Sequence, residues 1–158
     1  MKIIGIMGGS LCSDEEWKIA YKIGKEIAKE GYILLCGGGS GIMEAAAKGA
    51  YEEGGITIGI LPGSNKEESP PNPYIKIPIF TGMSDGRNSI NVKTSDIVVA
   101  IGGGPGTLSE IALALKNKKP VILLESLEVD KIIENPNLYK ASSVEEAIVT
   151  LKKIMAFI

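Results

Sequence analysis

Asp96-Ile97-Val98-Val99-Ala100-Ile101-Gly102-Gly103-Gly104-Pro105-Gly106-Thr107-Leu108-Ser109-Glu110 runs from an apolar stretch through four glycines and a proline into an apolar-periodic segment that ends near Lys118. The order is strand, glycine loop, helix. Such a loop lays backbone N–H groups against an anion, with the positive end of the helix dipole behind them. A tight strand-to-helix turn is the plain alternative. Four glycines around one proline exceed what a turn requires, so anion binding is the favoured reading. Glu110 falls one turn inside the helix, a fixed carboxylate beside the expected phosphate cradle.

The same alternation extends in both directions. Apolar strands are predicted at Lys2–Met7, Tyr32–Cys36, Ile56–Leu61, Ile75–Phe80, Asp96–Ile101, Pro120–Leu124 and, shorter, near Leu138–Ala141. Helices are predicted at Ser13–Lys29, Ile42 to about Glu53, Ser84–Ser95, through Ile111 to about Lys118, weakly at Val129–Glu134, and at Val144–Ala156. Ser13-Asp14-Glu15-Glu16 and Ser143-Val144-Glu145-Glu146 have the spacing of capping boxes. Pro62–Tyr74 is the longest stretch without periodicity, and long loops of this kind often serve as lids or binding loops. Strands separated by helices predict an α/β fold: a three-layer, doubly wound parallel sheet of Rossmann-like type, forming one domain over residues 1–158. Gly8-Gly9, Gly37–Gly41, Gly82 and Gly102–Gly106 all follow strands, so the glycine loops line the sheet edge where such folds bind ligands.

The bulk numbers narrow the chemistry. With 158 residues, 44% of them hydrophobic and only 5% aromatic, the core must be aliphatic. A net charge of −2 without a basic run gives no electrostatic case for nucleic acid or an anionic membrane. The opening Met1-Lys2-Ile3-Ile4-Gly5-Ile6 is too short and too soon interrupted for a signal peptide or span, so a cytoplasmic protein is expected. There is no histidine, which removes imidazole as base, acid or metal ligand and excludes a Ser-His-Asp triad. Cys12 and Cys36 cannot form a four-ligand zinc site, and free thiols are expected.

Several residues on the predicted binding edge carry the candidate chemistry. The N–H groups of Gly103, Gly104, Gly106 and Thr107 are placed to hold a phosphate, with Gly8, Gly38 and Gly39 in neighbouring loops. The Gly102–Gly106 loop is neither a P-loop, since it lacks Gly-Lys-Ser/Thr, nor a dinucleotide fingerprint. Glu110 has two readings: a catalytic carboxylate, or the last member of a capping box Thr107-Leu108-Ser109-Glu110. Arg87 is the sole arginine, and its planar fork suits a phosphate or carboxylate. An ordinary surface arginine is the alternative. Asp85 either caps the following helix or orients Arg87. Met43 is explained by packing or by contact with a ligand base.

Gly37–Ala46, Gly59-Ile60-Leu61-Pro62-Gly63, Arg87-Asn88 and Gly102–Glu110 together resemble the lonely-guy superfamily, which includes cytokinin riboside 5'-monophosphate phosphoribohydrolases and molybdenum-cofactor carrier proteins. The resemblance covers nearly the whole chain. It implies a Rossmann-like sheet in a homodimer or homotetramer, a phosphate cradle and catalytic Glu110 over Gly102–Glu110, Arg87-Asn88 in place of an arginine-lysine pair, and Ser10 in the first loop. Gly102 stands where the hydrolases carry proline, Asn88 where they carry lysine, and Glu44 where they carry glycine. These departures lean toward the carrier-like branch. The resulting expectation is a nucleotide-binding protein that cleaves the N-glycosidic bond of purine-type nucleoside 5'-monophosphates, using Glu110 and Arg87. The alternative is a non-catalytic carrier or sensor of a phosphorylated nucleotide or molybdenum cofactor. No cofactor is required for the first reading. The bound species would be a nucleoside monophosphate, phosphate or molybdenum cofactor.

Overall fold

The computed structural model describes every residue from Met1 to Ile158. Its centre is the strand β5 (Ile97–Gly102), all of whose residues are buried. Ile97, Val99 and Ile101 point to one face of the sheet, and Val98 and Ala100 to the other. A strand covered on both sides needs no polar alternation, which is why its sequence reads as an unbroken apolar run. β1 (Ile3–Gly8) and β6 (Val121–Ser126) flank it in parallel. The sheet is completed by β2 (Ile33–Cys36), β3 (Thr57–Leu61), β4 (Ile77–Phe80) and β7 (Leu138–Ala141). The seven parallel strands lie in the order β4-β3-β2-β1-β5-β6-β7.

Three helices cover one face: α1 (Asp14–Lys29), α2 (Ile42–Glu52) and α5 (Val144–Met155). Their buried residues, including Ile23, Ile27, Ala46 and Leu151, join Ile4, Ile6, Val99 and Ile122 in the larger core. α3 (Arg87–Thr94) and α4 (Pro105–Lys116) cover the other face, where Val92, Ile111 and Leu115 meet Met7, Val98 and Leu123. The three-layer parallel architecture expected from the alternation is therefore present. Winding reverses between β1 and β5, and the crevice outside their carboxyl ends is the place where such sheets bind ligands.

The capping expectations separate. Ser13 forms the full box: its hydroxyl accepts the Glu16 N–H, and the Glu16 carboxylate accepts the Ser13 N–H. Ser143 forms half of one, because the Glu146 carboxylate takes the N–H of Ser142 instead. The third box does not form. Pro105, with φ preset for a first helical position, starts α4 with Gly104 as its cap, so Thr107 is already in the first turn and Glu110 lies beyond it. The helix predicted at Ser84–Ser95 begins as a short 3-10 turn, Ser84–Gly86, before α3, and the weak one at Val129–Glu134 is only the 3-10 turn Val129–Lys131. Neither Cys12 nor Cys36 is in a disulfide, and no helix is long and apolar enough to cross a membrane.

Candidate functional site

The β1/β5 crevice opens into a cleft of about 310 Å³. Its walls come from separate segments: Gly8, Gly9 and Ser10 after β1, Gly37 and Met43 around the start of α2, Asp85, Arg87 and Asn88 at the start of α3, and Gly104–Thr107 with Glu110 from α4. No aromatic side chain lines it.

The tip of α4 has no side-chain cap. The N–H groups of Gly103, Gly104, Gly106 and Thr107 have no acceptor within the chain; the first bond of the helix is Leu108 N–H to the Gly104 carbonyl. A Cβ added at Gly104 or Gly106 would meet nothing within 4 Å. Glycine is thus not demanded there by packing, and the space it leaves belongs to the cleft. Gly102 and Gly103 are glycine for the opposite reason. Their φ angles of 56° and 110° are left-handed, and a Cβ on Gly102 would lie 2.0 Å from the Glu16 carboxylate. Proline, fixed near φ of about −65°, cannot follow this path, so the departure from the hydrolase pattern at Gly102 is a real difference in the loop.

Glu110 is 8% exposed, and its Oε2 accepts from Asn91 Nδ2 at 3.1 Å. Burial pushes its carboxyl up to about 7, against smaller opposing effects of the Asn91 donor and the Arg87 charge. It therefore titrates near neutrality, which suits a group that exchanges protons. Arg87 is held rather than free: one nitrogen, Nη1, donates to the carbonyls of Gly37 and of Ile60, the latter at 2.7 Å. That clamp ties α3 to the ends of β2 and β3, and Arg87 lines the cleft. Asp85 neither caps α3 nor bonds Arg87, and simply lines the cleft. Asn88 donates to Ser109 Oγ at 3.2 Å, joining α3 to α4.

Of the residues expected from the sequence, Gly8, Ser10, Met43, Arg87, Asn88, Gly104, Gly106, Thr107 and Glu110 meet in one cleft. Gly38, Gly39 and Gly103 do not line it. Gly38 N–H goes to Cys36 Sγ, and the Gly38 and Gly39 carbonyls receive the backbone and side-chain N–H groups of Asn72, so this turn anchors the 62–74 loop. Gly103 lies against the Thr107 side chain, although its N–H is free. Asn91 escaped the sequence reading. Its signal was available: a polar residue at i+4 from Arg87, on the face of α3 that packs inward.

A sequence model of the SLOG cluster4 family matches residues 1–155, almost the entire chain. The chain belongs to the SLOG cluster4 family. This places the SLOG cluster4 protein in the lonely-guy superfamily. It is 45% identical to a molybdenum cofactor binding protein of Rippkaea orientalis, with a TM-score of 0.91 over 98% of this chain and 97% of that one. Against the molybdenum cofactor carrier protein of Chlamydomonas reinhardtii, identity is 42% and the TM-score 0.90, over 98% of each chain. A cytokinin riboside 5'-monophosphate phosphoribohydrolase of Oryza sativa is 32% identical over 66% of this SLOG cluster4 chain, which spans 46% of that protein's length.

Proposed function

We propose that the cleft binds a small phosphorylated ligand at the tip of α4 and that Glu110 acts on the sugar attached to that phosphate. The observation that carries this reading is the set of amides of Gly103, Gly104, Gly106 and Thr107, left without acceptors beside a buried carboxylate that titrates near neutrality. A phosphoryl group satisfies those amides and gains the helix dipole. Arg87, at the start of the neighbouring α3, adds positive charge to the cleft. The substrate class is a purine-type nucleoside 5'-monophosphate. Water adds at the anomeric carbon, the N-glycosidic bond breaks, and the base leaves with its bonding electrons and takes a proton from solvent. Glu110, ionised, accepts the proton of the attacking water and stabilises the oxocarbenium-like transition state. The rate should rise with pH and level off above the Glu110 titration near 7. Incubation with AMP and chromatography for adenine and ribose 5-phosphate tests this; release no faster than from Glu110→Gln overturns it.

A second reading is favoured by the similarity to molybdenum cofactor carriers and by the departures at Gly102, Asn88 and Glu44. Here the same amides hold a phosphorylated pterin or nucleotide as cargo, without chemistry. Calorimetric binding of AMP and of molybdenum cofactor, run beside the turnover assay, separates the two. Tight binding without product favours the carrier. Assembly as a homodimer or homotetramer belongs to both readings, and sedimentation checks it.

Gly106→Asp tests the cradle independently of turnover. Its Cβ enters open space, and an acidic residue in the first turn of α4 is good for the helix. The fold should therefore gain stability by about 0.5 kcal/mol or more, while affinity for phosphate or AMP falls by about two orders of magnitude through like-charge repulsion. Thermal melting and calorimetry read the two effects, and unchanged affinity would rule out α4 as the phosphate site.

A further inference from the structure

We propose that Asn91 is the positioning residue for Glu110: its amide holds Oε2 and so aims Oε1 into the cleft. The inference rests on the reading of Glu110 as the acting carboxylate, and deepens it. Asn91 is completely buried in α3, yet its side chain makes a single bond, Nδ2 to Glu110 Oε2 at 3.1 Å. Its Oδ1 is the one buried side-chain polar atom in the chain without a partner. A leucine has nearly the same shape and would leave no orphan, so the packing of α3 on the sheet gives no reason for an amide. The backbone carbonyl of Asn91, which accepts from Ser95 Oγ at 2.7 Å, serves the helix whatever side chain stands there. The contact with Glu110 is what remains.

The geometry of that contact is directional. Glu110 Oε2 is occupied by Asn91, whereas Oε1 has no protein partner and is not sealed from solvent. The carboxylate is thereby held in one orientation with one oxygen free toward the cleft that Glu110 lines. An amide donor also favours the ionised form, opposing the burial that favours the acid. Two other titratable or charged groups bear on Glu110, Arg87 from α3 and Cys36 at the end of β2, and Asp85 lines the same cleft. Cys36, pushed by burial up to about 12, remains a neutral thiol throughout.

The test is a carboxyl-carbon NMR titration of Glu110, assigned by difference with Glu110→Gln, in the wild type and in Asn91→Leu. The titration needs no substrate, so it stands even if AMP is not turned over. The expected result is an upward shift of the Glu110 midpoint by about one pH unit or more in Asn91→Leu, with a melting temperature that does not fall. If AMP is a substrate, kcat falls and its pH profile moves up with the midpoint while KM holds. A folded Asn91→Leu with an unmoved Glu110 midpoint overturns the proposal. So does a loss of melting temperature with the midpoint unmoved, since that marks a merely structural residue. Should leucine prevent folding, the smaller apolar Asn91→Val is read by the same criterion.

Discussion

Glu110→Gln is expected to melt at a higher temperature than the wild type above neutral pH, and to have lost turnover of any nucleotide. The direction follows from linkage. Burial raises the folded-state titration of Glu110 to about 7 from an ordinary 4.5. Between those values the native protein holds a proton that the unfolded chain has released. The stabilisation from that proton is complete below the unfolded value and is lost as pH rises through the folded one. Above it, the native state carries a buried carboxylate at a cost of about 3 kcal/mol, taking 1.36 kcal/mol per unit. Glutamine stays neutral, and its carbonyl oxygen still accepts from Asn91. The two proteins should therefore melt together at acid pH and diverge through the titration. The gap should reach roughly 5–10 °C for a domain of this size. Parallel melting curves at every pH would show that Glu110 is ionised without penalty, and the electrostatic account of the cleft would fail. A residue that costs stability in the resting protein is what a stability–activity trade-off places in a working site.

Gly24→Val is expected to be the most damaging substitution to the fold itself. α1 and α2 touch backbone to backbone at two reciprocal points. A Cβ on Gly24 would lie 2.0 Å from the Ala46 carbonyl oxygen, and one on Gly49 would lie 2.1 Å from the Tyr21 carbonyl oxygen. No rotamer relieves a clash with main chain, so the helices must separate and uncover Ile23, Ile27, Ala46 and Ala47, all fully buried. Overpacking of ordinary cores costs 1–3 kcal/mol; an obstruction by the facing main chain at Ala46 should reach about 3 kcal/mol or more, a fall of roughly 10 °C in Tm. Because α2 begins at the Gly37–Met43 wall of the cleft, ligand affinity should fall with it. A valine variant that melts within a degree or two of the wild type would mean that the helices sit farther apart than described. Gly106→Asp makes the contrast: there the Cβ meets nothing, so binding falls while the fold does not weaken.

Much of this was legible in the sequence. The apolar run 97–101 declared a doubly buried strand, and the glycines after β1, β2 and β5 marked the edge where the cleft opens. Local rules also predicted the start of α1, where Ser13 and Glu16 satisfy each other within four residues. They failed at Thr107–Glu110, because the same Thr-x-x-Glu spacing is shared by a cap and by a helix interior, and Pro105 moved the start upstream. Gly38 and Gly39 lie outside the cleft for a different reason. Glycine in a turn reports that a side chain is excluded; it does not say whether a ligand or Asn72 and Leu61 fill the space.

The sequence by itself determined the elements, their parallel pairing and the edge at which a ligand would sit, because strand and helix periodicity and glycine placement are local properties of the chain. Only the tertiary structure decided the chemistry of the cleft. The clamp of Arg87 on the Gly37 and Ile60 carbonyls, the burial that brings Glu110 near neutrality, and its bond to Asn91 each join residues 19 or more apart. Desolvation and long-range hydrogen bonds exist only once α3, α4 and the sheet have closed around them.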